Sequence, residues 1–234
     1  MTEPKKELPI YLEKLIGRFI FIKYIYDERE NINRWLQRPE GSNAIEEGRS
    51  FFNLFQRISS QTLIIELCKF IDDDEKKSLV DFLNKCRKDA KQLESTLSKA
   101  QEGFPKKVIL PDLYAGSIDK IFEKLNAHKK TIHSLKFQRD KALMHTDASF
   151  CNNPDRHFEN YPLSSEDLSS LLSTIEKILE DQAIYFLQSV FDFTLDTGRG
   201  VDRVLEMMRA CNKLESENGL NIMYRFDNYY EKKE

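Results

Sequence analysis

Apolar residues recur at helical spacing along almost all of this 234-residue chain, and its eight glycines and seven prolines fall mostly at boundaries between the periodic stretches. With so few internal breakers the chain is expected to be all-α. The expected architecture is one helical bundle of about five to six helices over residues 1–234. Residues 1–8 and 229–234 are read as flexible ends.

The first helix is expected over residues 9–37, with Leu12, Leu15, Ile16, Phe19, Ile22 and Tyr26 at helical spacing, before Pro39 and Gly41 stop it. A second, over 43–70, carries Phe51, Phe52, Leu54, Phe55, Ile58, Leu63, Ile64 and Leu67, with Gly48 as a weak internal breaker. Asp72, Asp73 and Asp74 read as the cap and acidic first turn of a third helix reaching residue 100, rather than as a metal site, because carboxylates there satisfy free amides and oppose the helix dipole. After an extended piece at 108–111, a fourth helix is expected over 113–145. An aperiodic loop follows at 146–163, a length that is often functional. Ser164 and Asp167 then stand at capping-box spacing ahead of a fifth helix, which runs to about residue 193. Thr197-Gly198-Arg199-Gly200 lacks the lysine and spacing of a phosphate loop and reads as the boundary before a sixth helix over 201–214.

Charged residues make up 32% of the chain and the hydrophobic set 40%, a balance suited to a fully folded globule. A formal net charge of −3 excludes nucleic-acid binding through a bulk positive field, so any such contact must come from a local patch. Cys68, Cys86, Cys151 and Cys211 are scattered without zinc-ligand spacing, which implies reduced thiols in the cytoplasm and no metal. The apolar run 15–26 is interrupted by Gly17, Arg18 and Lys23, so neither a signal peptide nor a membrane span is expected.

The fourth helix holds the local patch. Between residues 128 and 141 stand His128, Lys129, Lys130, His133, Lys136, Arg139 and Lys141 against one acid, Asp140. Ile118, Leu125, Ile132 and Arg139 repeat every seven residues, with Ile121, His128, Leu135 and Ala142 interleaved, so Arg139 occupies a seam position where an isoleucine is expected. A guanidinium there faces a packed neighbour, a partner subunit or a cleft, and needs an anionic partner. His145 lies six residues on, roughly 120° off the arginine's line on an ideal helix. Arginine grips a phosphate through parallel hydrogen bonds, and histidine titrates near neutral pH. Together they can cleave RNA without a metal. His128 and His133 read as packing or surface histidines.

The run Phe137-Gln138-Arg139-Asp140-Lys141-Ala142-Leu143-Met144-His145-Thr146-Asp147, late in an all-α chain, resembles the HEPN family (higher eukaryotes and prokaryotes nucleotide-binding). The RDK-type start and H-x-D ending look most like its abortive-infection AbiU-like branch. The resemblance implies a metal-independent endoribonuclease without cofactors, a homodimer through the Arg139–His145 face, acting in phage defence or as a toxin with an antitoxin or other regulatory partner. His145 would be general base or acid, Arg139 would stabilise the charged phosphorane, and Asp140 would orient one of them. Lys129, Lys130, Lys136 and Lys141 would bind RNA. Several HEPN toxins carry a modifiable tyrosine two residues past the histidine; Asp147 stands there, so that control is not implied.

Other readings stay open from the residues alone. Arg139 can simply pair with an acid, and His145 can favour a helix C-terminus, where positive charge is stabilised. The protein would then be a noncatalytic nucleotide- or RNA-binding module, or a dimeric scaffold.

Overall fold

The computed structural model describes residues 7–38, 49–88, 114–140 and 160–187, together with 189, 191, 193, 203, 204, 206, 207 and 210. Every regular element among them is helical: α1 Glu7–Leu36, α2 Arg49–Ile71, α3 Leu79–Lys88, α4 Tyr114–Ala127, α5 Lys129–Gln138 and α6 Ser165–Leu187. The all-α expectation holds. Residues 203, 204, 206, 207 and 210 are helical within the expected sixth helix. The extended piece at 108–111, the glycine pair at 198 and 200, most of the long loop and both presumed flexible tails, apart from Glu7 and Leu8, lie outside the described residues.

The chain divides into two compact units, residues 1–23 with 61–194, and residues 24–60 with 195–234. In the first, α1 buries Leu8, Leu12, Leu15, Ile16, Phe19 and Ile22, α2 buries Leu63, Leu67, Cys68, Phe70 and Ile71, and α6 buries Leu168, Leu171, Leu172, Ile175, Ile178 and Leu179. Steps of mostly three or four residues give each helix one apolar stripe. Each such side chain taken out of water contributes about 1.5–3 kcal/mol before chain entropy is counted. Aromatic edges lock the stripes: Phe19 meets Phe70 and Phe193 at centroid distances of 5.9 and 5.5 Å, and Phe82 meets Tyr11 and Phe186 at 5.5 and 5.7 Å. Helix α4 packs on α3 and α6, and α5 packs on α4 and α6.

In the second unit Ile32, Trp35 and Phe52 are buried, Gln56 Nε2 donates to Asn33 Oδ1 at 3.4 Å, and Phe51, Leu54 and Ile58 are exposed on α2.

Three elements depart from the expected bounds. The third helix starts at Leu79, not at the aspartates. Asp72 instead prolongs α2, its N–H donating to Cys68 O at 2.8 Å, and the cap falls to Ser78, whose Oγ accepts the Asp81 N–H at 3.0 Å. Lys77 turns the chain into that cap with a left-handed φ of 68°, and its N–H donates to Asp81 Oδ2 at 3.1 Å. Ser78 and Asp81 together therefore do the capping work expected of the aspartates further upstream. The expected fourth helix is two, α4 and α5, broken at His128 with φ −94° and ψ 13°. There the N–H reaches back only to Leu125 O at 3.0 Å, and the ring bonds Thr174 Oγ1 on α6 at 2.9 Å, so a side-chain anchor holds the tight turn. Helix α6 stops at Leu187, short of residue 193, where Ser189 Oγ donates to the Leu187 carbonyl at 3.1 Å.

At the start of α6 the expected capping box is present: Ser164 Oγ accepts the Asp167 N–H at 3.0 Å and donates to Asp167 Oδ2 at 2.9 Å.

Because Ser78 is fully buried and its carbonyl also accepts the Tyr11 hydroxyl at 2.9 Å, Ser78→Ala should lower unfolding stability by about 1–2 kcal/mol, read as a reduced denaturant midpoint at constant slope.

Candidate functional site

Helix α2 ends in a place that is electrostatically wrong for an acid. The last carbonyls of a helix carry partial negative charge, and Asp72 sits among them with its side chain only 7% exposed. Two cations make this possible. Lys136 Nζ lies 2.6 Å from Asp72 Oδ1, and Arg139 Nη1 donates to Oδ2 at 2.8 Å. Burial by itself would raise this carboxyl's pKa, but hydrogen bonds from Lys136 and then Arg139 outweigh it and hold the group well below the usual carboxylate range.

Both cations come from one face of α5, whose buried positions are Thr131, Ser134, Leu135 and Gln138. Ile132, the expected seam residue, is only half-buried, because the break at His128 turns α5 relative to α4. Arg139 therefore does not enter the apolar seam; it lies at its edge with 17% of the side chain exposed. The turn at Arg139–Asp140 widens to the π type, and the Arg139 N–H is shared between Leu135 O and Lys136 O. The Asp140 carboxylate lies beside its neighbour: Arg139 Nε donates to Asp140 Oδ1 at 2.7 Å.

The guanidinium is thus held from two nitrogens by two carboxylates. The hydrogen bond to Asp140, opposed by burial and reinforced by the bond to Asp72, pushes its pKa further above the ordinary range, so its charge is permanent. Lys136 also bridges to Asp73 Oδ1 at 2.7 Å; its burial disfavours the charge, but Asp72 and Asp73 more than compensate and raise its pKa. Three carboxylates, Asp72, Asp73 and Asp140, meet two cations, leaving this cluster one negative charge in surplus. Oxygens of Asp72, Asp73 and Asp74 approach within 4.8 Å of one another, but Lys136 already bridges the first two. Burial pushes the nearby Cys68 thiol up to about 12, the Arg139 charge offsetting only part of the rise, so it stays protonated.

One turn away, the Tyr161 ring stacks on Phe137 at a centroid distance of 3.6 Å and an interplanar angle of 16°, and lies 5.5 Å from the His133 ring. Gln138 Nε2 donates to the Tyr161 carbonyl at 2.9 Å. The chain returning towards α6 is thereby clasped to α5 immediately before Arg139.

Of the residues singled out in the sequence, Arg139, Asp140 and Lys136 come together. Lys129 and Lys130 stand exposed on the first turn of α5. His145, Lys141 and Asp147 lie outside the described residues. His128 serves packing through Thr174, as its sequence context suggested. Asp72 was missed as the partner of Arg139. The signal available was an acid directly following the apolar run that closes a helix, where capping logic favours cations.

The cluster sets a pH window. A carboxyl whose folded pKa is depressed contributes stability that is complete above its unfolded value, about 4, and is lost as pH falls through the folded value. Lys136, raised in the fold, contributes below its unfolded value of about 10 and loses that contribution as pH rises further. Unfolding monitored by circular dichroism should therefore show stability falling below pH 4. Asp72→Asn should cost about 1–3 kcal/mol at pH 7, discounted for the part-exposed partners, and should flatten that acid limb.

No curated protein and no solved structure matches this chain. A family model does, HEPN_AbiU2, described as AbiU2, over residues 11–204, a stretch that contains the whole ion cluster and runs through position 145. No helix among the described residues is long and apolar enough to cross a membrane. An all-α chain matched over most of its length, with Arg139 fixed at the end of α5, belongs to the abortive-infection AbiU2 family of HEPN proteins.

Proposed function

We propose that this protein is a metal-independent endoribonuclease of a phage-defence or toxin–antitoxin type system, acting in the cytoplasm as a homodimer with the Arg139–His145 faces across the two-fold axis. The ribose 2′-hydroxyl attacks the adjacent phosphorus, the bond to the 5′-oxygen breaks, and a 2′,3′-cyclic phosphate is left. His145 takes the hydroxyl proton or supplies one to the leaving oxygen, and Arg139 stabilises the charge on the phosphorane. Asp140 orients the arginine. Lys129, Lys130 and Lys141 guide the RNA backbone; Lys136 contributes through the acid cluster. A protein restraining the toxic activity would be its partner.

The observation that carries this reading is an arginine immobilised on two carboxylates within the stretch matched by the family. A group held in place before the reaction has little reorganisation left to undergo when charge develops in front of it.

A second reading is a noncatalytic RNA-binding or scaffold protein. The acid surplus around Arg139 favours it, because a neutralised guanidinium is a weaker bait for phosphate.

Incubation with total cellular RNA in excess chelator separates the two. The ribonuclease should leave fragments ending in cyclic phosphate while DNA stays intact, and His145→Ala should lower the rate by about 10²–10⁴-fold with the helical fold preserved. RNA retained without cleavage would establish the RNA-binding form of the second reading, and RNA neither retained nor cleaved its scaffold form. Lys129→Ala/Lys130→Ala should weaken RNA binding across sequences and reduce the salt dependence of the binding constant by about one to two in log–log slope.

A further inference from the structure

Arg139 already has a carboxylate next to it in sequence, Asp140, on its Nε. Neutralising one guanidinium requires no second acid. Yet Asp72 reaches Nη1 from a position 67 residues away in the chain, and does so from a buried site at the negative end of α2 that needs Lys136 to be tolerated. An arrangement so unfavourable for the acid itself points to what it does for the arginine.

A single hydrogen bond at Nε leaves the guanidinium able to pivot about that contact. A second bond, from a different nitrogen to an oxygen on a different element, fixes its plane. Lys136 completes the device: by holding Asp72 Oδ1 at 2.6 Å while Arg139 takes Oδ2, it stops the carboxylate from rotating, and its bridge to Asp73 anchors it to the turn after α2. With Nε and Nη1 committed to carboxylates, Nη2 is the nitrogen left to face a phosphate among the described contacts.

We propose that Asp72 is the positioning residue for Arg139, fixing the guanidinium plane from the end of α2 so that its Nη2 edge meets the reacting phosphate of the RNA. This rests on the ribonuclease reading. Since alignment matters most when the phosphorane forms, the loss of Asp72 acts on turnover rather than on substrate binding.

The test is steady-state cleavage, in chelator, of an RNA fragment cut by the wild type, with thermal unfolding of each variant alongside. Asp72→Asn should lower kcat by about 30–100-fold with KM within about twofold, the scale of a small misplacement at a reacting centre. Asp72→Glu, which keeps the charge but moves it by a methylene, should recover part of that loss. In an Arg139→Ala background Asp72→Asn should have no further effect, because it acts only through the arginine. Wild-type kcat in Asp72→Asn, or single-variant losses that multiply in the double variant, would overturn the assignment. If Asp72→Asn fails to fold, Asp72→Glu and Lys136→Ala decide it: kcat reduced about 3–10-fold at unchanged KM supports the assignment, and wild-type turnover in both overturns it. Failure of the ribonuclease reading looks different, since the wild type itself then leaves RNA intact, and the assignment falls with it.

Discussion

A carboxylate that cannot stand alone organises this protein. Asp72 is out of water and at the end of a helix dipole that repels it, so its ionised form exists only with Lys136 and Arg139 in contact. That requirement runs in both directions. It draws the C-terminal turn of α5 onto the end of α2, and it gives the arginine a fixed address. The cluster is thus both a tertiary clamp between segments distant in sequence and the frame of the candidate site.

The two breaks in the expected helices serve this clamp. A continuous helix through residue 138 would have kept α5 in the register of α4, with Ile132 on the apolar seam and Arg139 following it inward. The turn at His128, held by Thr174, brings Thr131 and Ser134 to the buried face beside Leu135 and leaves Arg139 at the seam's rim. Similarly, delaying α3 until Ser78 frees Asp72 and Asp73 from capping duty. Lys77 takes a left-handed backbone to make that delay possible, a conformation an L-residue adopts only when its surroundings compensate, here through Asp81.

Helix identity was readable in the sequence wherever burial is repetitive, since stripes such as Leu12–Phe19 and Leu168–Leu179 state their period directly. The Ser164–Asp167 cap was readable too, because its partners are three residues apart. What resisted reading was interaction across the chain. Asp72 looks like a helix cap when only its neighbours are considered, and only the fold reveals cations on α5 beside it. The break at His128 is equally silent: no proline or glycine marks it, and the side chain that anchors it is a threonine on another helix. Arg139 was legible as a residue needing an anion, though not which anion.

The clasp of Tyr161 on Phe137 and Gln138 also bears on how the length of this chain can vary. With Tyr161 pinned directly before Arg139, the chain leaves α5 and rejoins it at the same place. The entropic cost of closing such a segment grows only with the logarithm of its length, about 0.6 kcal/mol per doubling. Length changes confined to the part of that stretch beyond position 145 should therefore cost the clasp little and leave both the arginine's frame and its spacing to His145 undisturbed.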